Sequence, residues 1–167
     1  MTVYRDTALG FIGIESDGRA VVRVVLNPPL SCHDQPQAEG DSIIEEAFRQ
    51  LELYAAGELE SFDLPLSPQG TPFMKKVWDA LLRIPYGQTA SYRDIAEEIG
   101  SPKACRAVGM ANHRNPIPIF IPCHRVIGCR GELTGYAGGL AMKQRLLDRE
   151  QRAFLLHTCD GELFASP

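Results

Sequence analysis

The sequence predicts an α+β protein in two parts: a small strand-and-helix domain over residues 1–70, then a mainly helical domain over residues 71–167. Valine- and isoleucine-rich runs with turn signals fill the first 26 residues, and helical 3–4 spacing takes over from Asp41 and again from Pro72. The turn Ser67-Pro68-Gln69-Gly70 separates the parts. Charge divides at the same place. Residues 1–70 carry 4 Lys and Arg against 12 Asp and Glu, a net −8, whereas residues 71–150 carry 12 against 7, a net +5. A chain of 167 residues is long enough for either one good-sized domain or two small ones.

The first part opens with strands. Phe11, Ile12 and Ile14 alternate loosely, Asp17-Gly18 is a hairpin signal, and Ala20–Leu26 is rich in valine. Residues 27–40, with Pro28, Pro29 and Pro36, read as a loop. Asp41-Ser42 caps a helix to about Ala56, with Ile43, Ile44, Ala47, Phe48, Leu51 and Tyr54 near helical spacing and Gly57 ending it. A further strand is expected over Ser61–Leu66. No catalytic set stands out here, and a structural role is expected for this domain.

Thr71-Pro72 opens the second part with an N-cap and a proline at the first helical position. Phe73, Val77, Leu81 and Ile84 form its apolar face, Trp78 is read as core, and Pro85-Tyr86-Gly87 ends it. Ser91 caps a short helix, Tyr92–Ile99, closed by Gly100. Ser101-Pro102 is expected to cap another, reaching about Asn112. Two short helices around a Gly-Ser-Pro corner make a helix-turn-helix signature. On the second, Lys103, Arg106, Met110 and His113 share a face among Ala104, Ala107, Gly109 and Ala111. A helix so bare either packs tightly on its own protein or approaches another backbone closely, including a DNA minor groove.

The run Asn115-Pro116-Ile117-Pro118-Ile119-Phe120-Ile121-Pro122-Cys123-His124-Arg125-Val126-Ile127 is read as buried and nearly extended, with Pro122 stiffening the backbone before Cys123. Such a cysteine is a small hydrophobe or a nucleophile in a rigid frame. Residues 127–139 are a glycine-rich shaped loop. A helix follows from Leu140 to Glu150 with Leu140, Lys143, Leu146 and Leu147 inward, and the tail 151–167 is expected to wrap the core.

Composition narrows the classes. A hydrophobic fraction of 44% and a charged fraction of 23% are those of a soluble globular protein. No apolar run approaches the ~20 residues that span a bilayer, and the N-terminus has no signal-peptide pattern, so a cytoplasmic protein off the membrane is expected. Five irregularly spaced cysteines suit free thiols better than disulfides. Cys123, His124 and Cys129 lack paired ligand spacing, and no metal is expected. A thiol needs a base, and His124 is adjacent. In an extended chain the two side chains point apart, so a water bridges them only if the segment turns. Glu150 or another carboxylate could orient the ring. From these residues alone, a cysteine hydrolase and a purely DNA-binding regulator both stay open.

Ile121-Pro122-Cys123-His124-Arg125-Val126 resembles the signature of the O6-alkylguanine-DNA alkyltransferases (methylated-DNA–protein-cysteine methyltransferases). The likeness runs from about Thr71 to Glu150 through Pro85-Tyr86-Gly87, Ser91-Tyr92, Arg106-Ala107-Val108-Gly109, Asn115-Pro116 and Gly135-Tyr136-Ala137-Gly138-Gly139-Leu140. It implies a ribonuclease H-like first domain and a helix-turn-helix second domain. It further implies a DNA-repair protein that flips O6-alkylguanine out of double-stranded DNA and takes the alkyl group irreversibly onto Cys123, once per molecule. By the resemblance, His124 would draw the thiol proton through a water, Glu150 would hold the imidazole, Asn115 would brace the site, and Tyr92 would donate to guanine N3. Arg106 would fill the gap left by the flipped base, with Ala107, Lys103, Gly109, Ser91 and Arg125 also on the DNA. Tyr136, Ala137, Val126 and Pro118 would line the pocket. No cofactor is implied, and the partner would be duplex DNA, bound in the minor groove by a monomer. Cys105 and Cys129 would be incidental thiols.

Overall fold

The computed structural model describes residues 1–35, 39 and 41–165, with side chains as far as Leu156. Pro36 of the expected loop and the side chains of His157 and Cys159 lie outside the described residues. The chain is a mixed α/β protein with a small sheet and helices. Strands β1 (Thr2–Thr7), β2 (Gly10–Ser16) and β3 (Val21–Leu26) form an antiparallel meander in that order. The β2–β3 turn is set by Asp17, whose carboxylate accepts from the backbone N–H of Arg19 and Ala20 at 2.8 Å each. Gly18 supplies the positive φ (85°) that this turn requires.

Helix α1 (Ser42–Ala55) starts where Asp41 accepts from Ile44 N at 2.8 Å. It joins Ile44, Ala47, Phe48 and Leu51 to the Val3, Ile12, Ile14, Val21 and Val24 side of the sheet in one buried cluster. The expected strand over Ser61–Leu66 is replaced by a single parallel bridge, Val21 to Leu66. Pro65 has no N–H and cannot continue a ladder. Its carbonyl accepts from Val21 N at 2.9 Å, and Pro116 O accepts from Val24 N at 2.9 Å. The open edge of β3 is thus covered, partly by the segment that leads to Cys123.

Helix α2 (Pro72–Leu82) is capped by Thr71, and its Val77, Trp78, Ala80 and Leu81 are buried as expected. The Trp78 indole donates to Ala111 O at 2.9 Å. A two-residue strand β4 (Ala90–Ser91) pairs in parallel with β5 (Val126–Ile127), a pairing with no sequence signal at that length. Ser91 then caps α3 (Tyr92–Glu98) through a capping box with Asp94. Helix α4 (Cys105–His113) begins three residues later than expected. Ser101–Ala104 closes instead as a turn, Ala104 N to Ser101 O at 2.9 Å, with Pro102 in the place that suits proline. Lys103 therefore sits in the turn ahead of the helix. Helices α2, α3 and α4 pack on one another.

Helix α5 runs from Leu140 to Ala165, past the expected end at Glu150, since residues 151–160 contain neither glycine nor proline to stop it. Its buried face is Met142, Lys143, Leu146 and Glu150, whereas Leu140 is exposed and Leu147 half-buried. The tail continues a helix and does not fold back as a wrap. None of the described helices is long and apolar enough to cross a membrane.

Candidate active site

The segment before Cys123 is buried as expected but is folded rather than extended. Ile121 N donates to Ile117 O at 2.9 Å, closing a turn in which Ile119 takes a φ of 74°, an unusual conformation for a β-branched residue. Asn115 holds both ends. Its Oδ1 accepts from Ile117 N at 3.0 Å, and its Nδ2 donates to Ile121 O at 2.9 Å. Pro122 (φ −79°, ψ 62°) is the centre of an inverse γ-turn, with Cys123 N donating to Ile121 O at 2.8 Å. Proline suits that position because its ring already fixes φ near this value. Cys123–Arg125 then forms one 3₁₀ turn, so Cys123 and His124 are not opposed as they would be in a strand.

All three residues of that turn are buried. Burial pushes the Cys123 thiol up to about 11, against a side-chain hydrogen bond with Asn115, the charge of Lys143 and nearby backbone N–H groups. The resting thiol is protonated and needs a base. His124 is fully enclosed, and burial lowers its pKa despite the neighbouring carboxylate of Glu150, so the ring is neutral near pH 7. Its Nε2 lies 2.7 Å from Glu150 Oε1. A carboxylate only accepts, so Nε2 carries the proton and Nδ1 presents a lone pair. Nδ1 is buried with no hydrogen-bond partner among the described residues.

Glu150 reaches this turn from mid-helix in α5, and its carboxylate is saturated. Oε1 accepts from His124 Nε2, from Arg125 Nη2 at 3.0 Å and from the Tyr54 hydroxyl at 2.7 Å, while Oε2 accepts from Arg125 Nε at 2.9 Å. Burial opposes the charge, but the His124 and Arg125 hydrogen bonds outweigh it and hold the carboxyl at about 2. Arg125 also donates to Ile84 O at 2.7 Å and lies 5.7 Å over the Tyr86 ring. Its place on a DNA-facing surface is therefore corrected: Arg125 is buried, and its guanidinium is spent on Glu150 and a backbone carbonyl.

The remaining expected residues divide between this interior and the surface. Tyr92 opens α3, its ring lies near Gly109 of α4, and its hydroxyl meets Thr134 Oγ1 in the glycine-rich loop. The parallel β4–β5 pairing, Ala90 with Val126 and Ser91 with Ile127, ties the start of α3 to the strand that follows the Cys123 turn. The Tyr136 hydroxyl is buried without a partner among the described residues, and the ring stands edge-on to His124 with centroids 6.4 Å apart. Burial, then the Cys123 charge, would hold its phenol well above 10. Ala137 is exposed and Pro118 is buried in the turn. Val126 O accepts from the buried Lys143 Nζ at 2.7 Å, and Thr134 O accepts from the same group at 3.1 Å. Lys103, Arg106, Ala107, Met110 and His113 are exposed, whereas the Ser91 hydroxyl is taken by its cap.

Sequence reasoning missed Tyr54, and it placed Lys143 inward without a role. A tyrosine at an apolar helix position reads as core, and only the fold shows where its hydroxyl goes. Among the described residues no group of three or more His, Cys, Asp or Glu side chains gathers to hold a metal.

Residues 72–152 match the family model described as the DNA-binding domain of 6-O-methylguanine DNA methyltransferase. The chain is 43% identical to the crystal structure of Mycobacterium tuberculosis OGT in complex with DNA, with a TM-score of 0.81 over 90% of this chain and 92% of that one. It is 59% identical over 112 residues to the constitutive methylated-DNA–protein-cysteine methyltransferase of Bacillus subtilis, covering 67% of this chain and 63% of that relative. It is 61% identical over 112 residues to the methylated-DNA–protein-cysteine methyltransferase of Methanosarcina acetivorans, covering 67% of this chain and 72% of that relative. With that identity and coverage, and with a buried cysteine, histidine and glutamate drawn together inside the matched region, this chain belongs to the methylated-DNA–protein-cysteine methyltransferase family.

Proposed function

We propose that the protein repairs O6-alkylguanine in duplex DNA by moving the alkyl group to Cys123, and that each molecule acts once. The observation that carries this is the His124 ring: Nε2 is tied to Glu150, and Nδ1 is left as a buried acceptor on the turn that holds Cys123. The Cys123 proton passes through a water to His124 Nδ1. The thiolate sulfur attacks the alkyl carbon, the carbon–O6 bond breaks, and its electron pair leaves on guanine. Tyr92 donates a hydrogen bond to guanine N3 as charge builds there, exchanging its contact with Thr134. The product is a thioether with no ready leaving route, so the site does not reset.

A stacked base cannot reach a buried sulfur, so it must leave the helix at a cost of a few kcal/mol. Helices α3 and α4 are read as a helix-turn-helix whose second helix enters the minor groove. The exposed face with Arg106 and Ala107, and the exposed Lys103 just ahead, support that reading. Arg106 takes the place of the flipped nucleotide. The ribonuclease H-like description of residues 1–70 rests on three antiparallel strands backed by α1. The protein works as a cytoplasmic monomer of two domains, divided near Gly70.

The test is intact mass after mixing with a duplex containing O6-methylguanine, followed by peptide mapping. One methyl on Cys123, stopping at one equivalent, is the expected result. No gain, with tight duplex binding retained, would instead mark a lesion binder without transfer.

A further inference from the structure

Helix α1 belongs to the first part of the chain, 96 residues away from Glu150 in sequence, yet one of its side chains ends inside the transfer site. Tyr54 is fully buried. Its ring packs against Phe62 (centroids 5.2 Å) and edge-on to Tyr86 (6.2 Å), which leaves the hydroxyl one direction to point. It donates to Glu150 Oε1 at 2.7 Å, the same oxygen that accepts from His124 Nε2 at 2.7 Å. Burial, then the Glu150 charge, pushes the phenol well above 10, so it is a donor throughout the working range.

We propose that Tyr54 is a positioning residue for alkyl transfer, acting from the first domain through Glu150 on the base His124. This rests on the transfer reading above and gives that domain a part in the chemistry rather than a structural role alone. Two consequences follow from the shared oxygen. Tyr54 fixes where Oε1 sits, and so fixes which His124 nitrogen holds the proton and which is left as an unpartnered acceptor among the described residues. It also draws electron density from Oε1, which weakens the pull of that oxygen on an imidazolium and keeps the ring neutral. Besides His124, the other groups bearing on Glu150 are Arg125 from the 3₁₀ turn, Tyr86 ahead of β4 and Tyr136 of the glycine-rich loop; Arg125, Lys143 and the Tyr136 ring also face His124. Each is a cation or a neutral phenol, and among the described hydrogen bonds to the Glu150 carboxylate the one from Tyr54 comes from the first domain.

The experiment is single-turnover benzyl transfer from free O6-benzylguanine as a function of pH, which leaves DNA binding out. Tyr54→Phe keeps the ring and its packing and removes only the hydroxyl. With one donor gone, Oε1 favours the imidazolium, so the acid limb of the rate profile moves to higher pH, by about half a unit or more. A ring-fluorinated tyrosine installed at position 54 is a stronger donor and moves the limb the other way, which keeps the idea testable if Tyr54→Phe folds poorly. The ¹⁵N shifts of the His124 ring should follow the same two directions. Limbs that stay with wild type in both variants, with the rate scaled equally at every pH, would reduce Tyr54 to packing and overturn the proposal. Wild-type protein that takes no benzyl group on Cys123 would instead overturn the transfer reading itself.

Discussion

The Arg125–Glu150 pair and the Arg93–Glu97 pair use the same two residue types, and almost nothing else about them is alike. In the first, the side chains are 8% and 1% exposed, two N–H groups meet two oxygens, and His124 and Tyr54 complete the carboxylate. In the second, one turn apart on α3, the side chains are 74% and 52% exposed and a single contact spans 3.1 Å. An exposed pair of this kind contributes a few tenths of a kcal/mol, because water screens it and both chains lose rotamer freedom. A buried pair gains little over an apolar substitute, but breaking it strands a charge where no water can reach. The interior pair is therefore a device for geometry: stability and the proposed proton route depend on the same four donors. On the outer face of α4 the two are separable.

Breaking the interior pair gives the largest effect. Glu150→Ala leaves the Arg125 guanidinium buried and unpaired and frees His124 and Tyr54, so unfolding free energy should fall by about 3–5 kcal/mol, read from the denaturant midpoint. Alkyl transfer to Cys123 should vanish with it. A loss under about 1 kcal/mol would mean that the carboxylate is not the centre of the network.

Acid tests the same atoms without a substitution. The folded pKa of His124 lies below its ordinary 6.5, so the unfolded chain takes up that proton first. Stability from this group is whole above about 6.5 and declines as pH falls through that value. Glu150 is held at about 2 against an ordinary 4.5, so its contribution is whole above about 4.5 and is lost between there and about 2. A stability curve should therefore drop in two stages on acidification. In His124→Gln, which does not titrate, the upper stage should be absent, and an unchanged upper stage would assign it elsewhere.

The two regions were not equally legible in the sequence. The surface could be read more directly: Arg106, Met110 and His113 share the exposed face of α4 that helical spacing gives, although the helix starts at Cys105 and leaves Lys103 in the turn ahead. Cys123, His124, Asn115 and Glu150 could be picked out by type and by motif, but not their contacts. That Cys123 and His124 sit on one 3₁₀ turn depends on the inverse γ-turn at Pro122 and on the positive φ of Ile119, neither of which hydrophobic pattern encodes. The resemblance alone places Arg125 on the DNA, whereas in the fold its guanidinium is buried against Glu150 and Ile84 O. Tyr54 was invisible as a site residue for the opposite reason: its ring does belong to the core, and only its hydroxyl reaches the Glu150 carboxylate.

At the surface pair, a double-mutant cycle of Arg93→Ala and Glu97→Ala should give a coupling of about 0.3–0.5 kcal/mol that fades with salt. A coupling above about 1 kcal/mol would put that pair in the class of the buried one and erase the comparison.

The smallest effect on stability should come from Arg106→Ala, and it sharpens the contrast most. Arg106 is exposed on α4, so removing it should change the unfolding free energy by no more than about 0.5 kcal/mol. Free O6-benzylguanine should react at the wild-type rate, since the route from Cys123 through His124 to Glu150 is untouched. Transfer from a duplex should slow about tenfold or more, because nothing then offsets the unstacked base. Equal slowing on free base and duplex would place Arg106 in the chemistry rather than on the DNA. A rate lost on duplex alone, with stability kept, would show that this face carries function without carrying the fold.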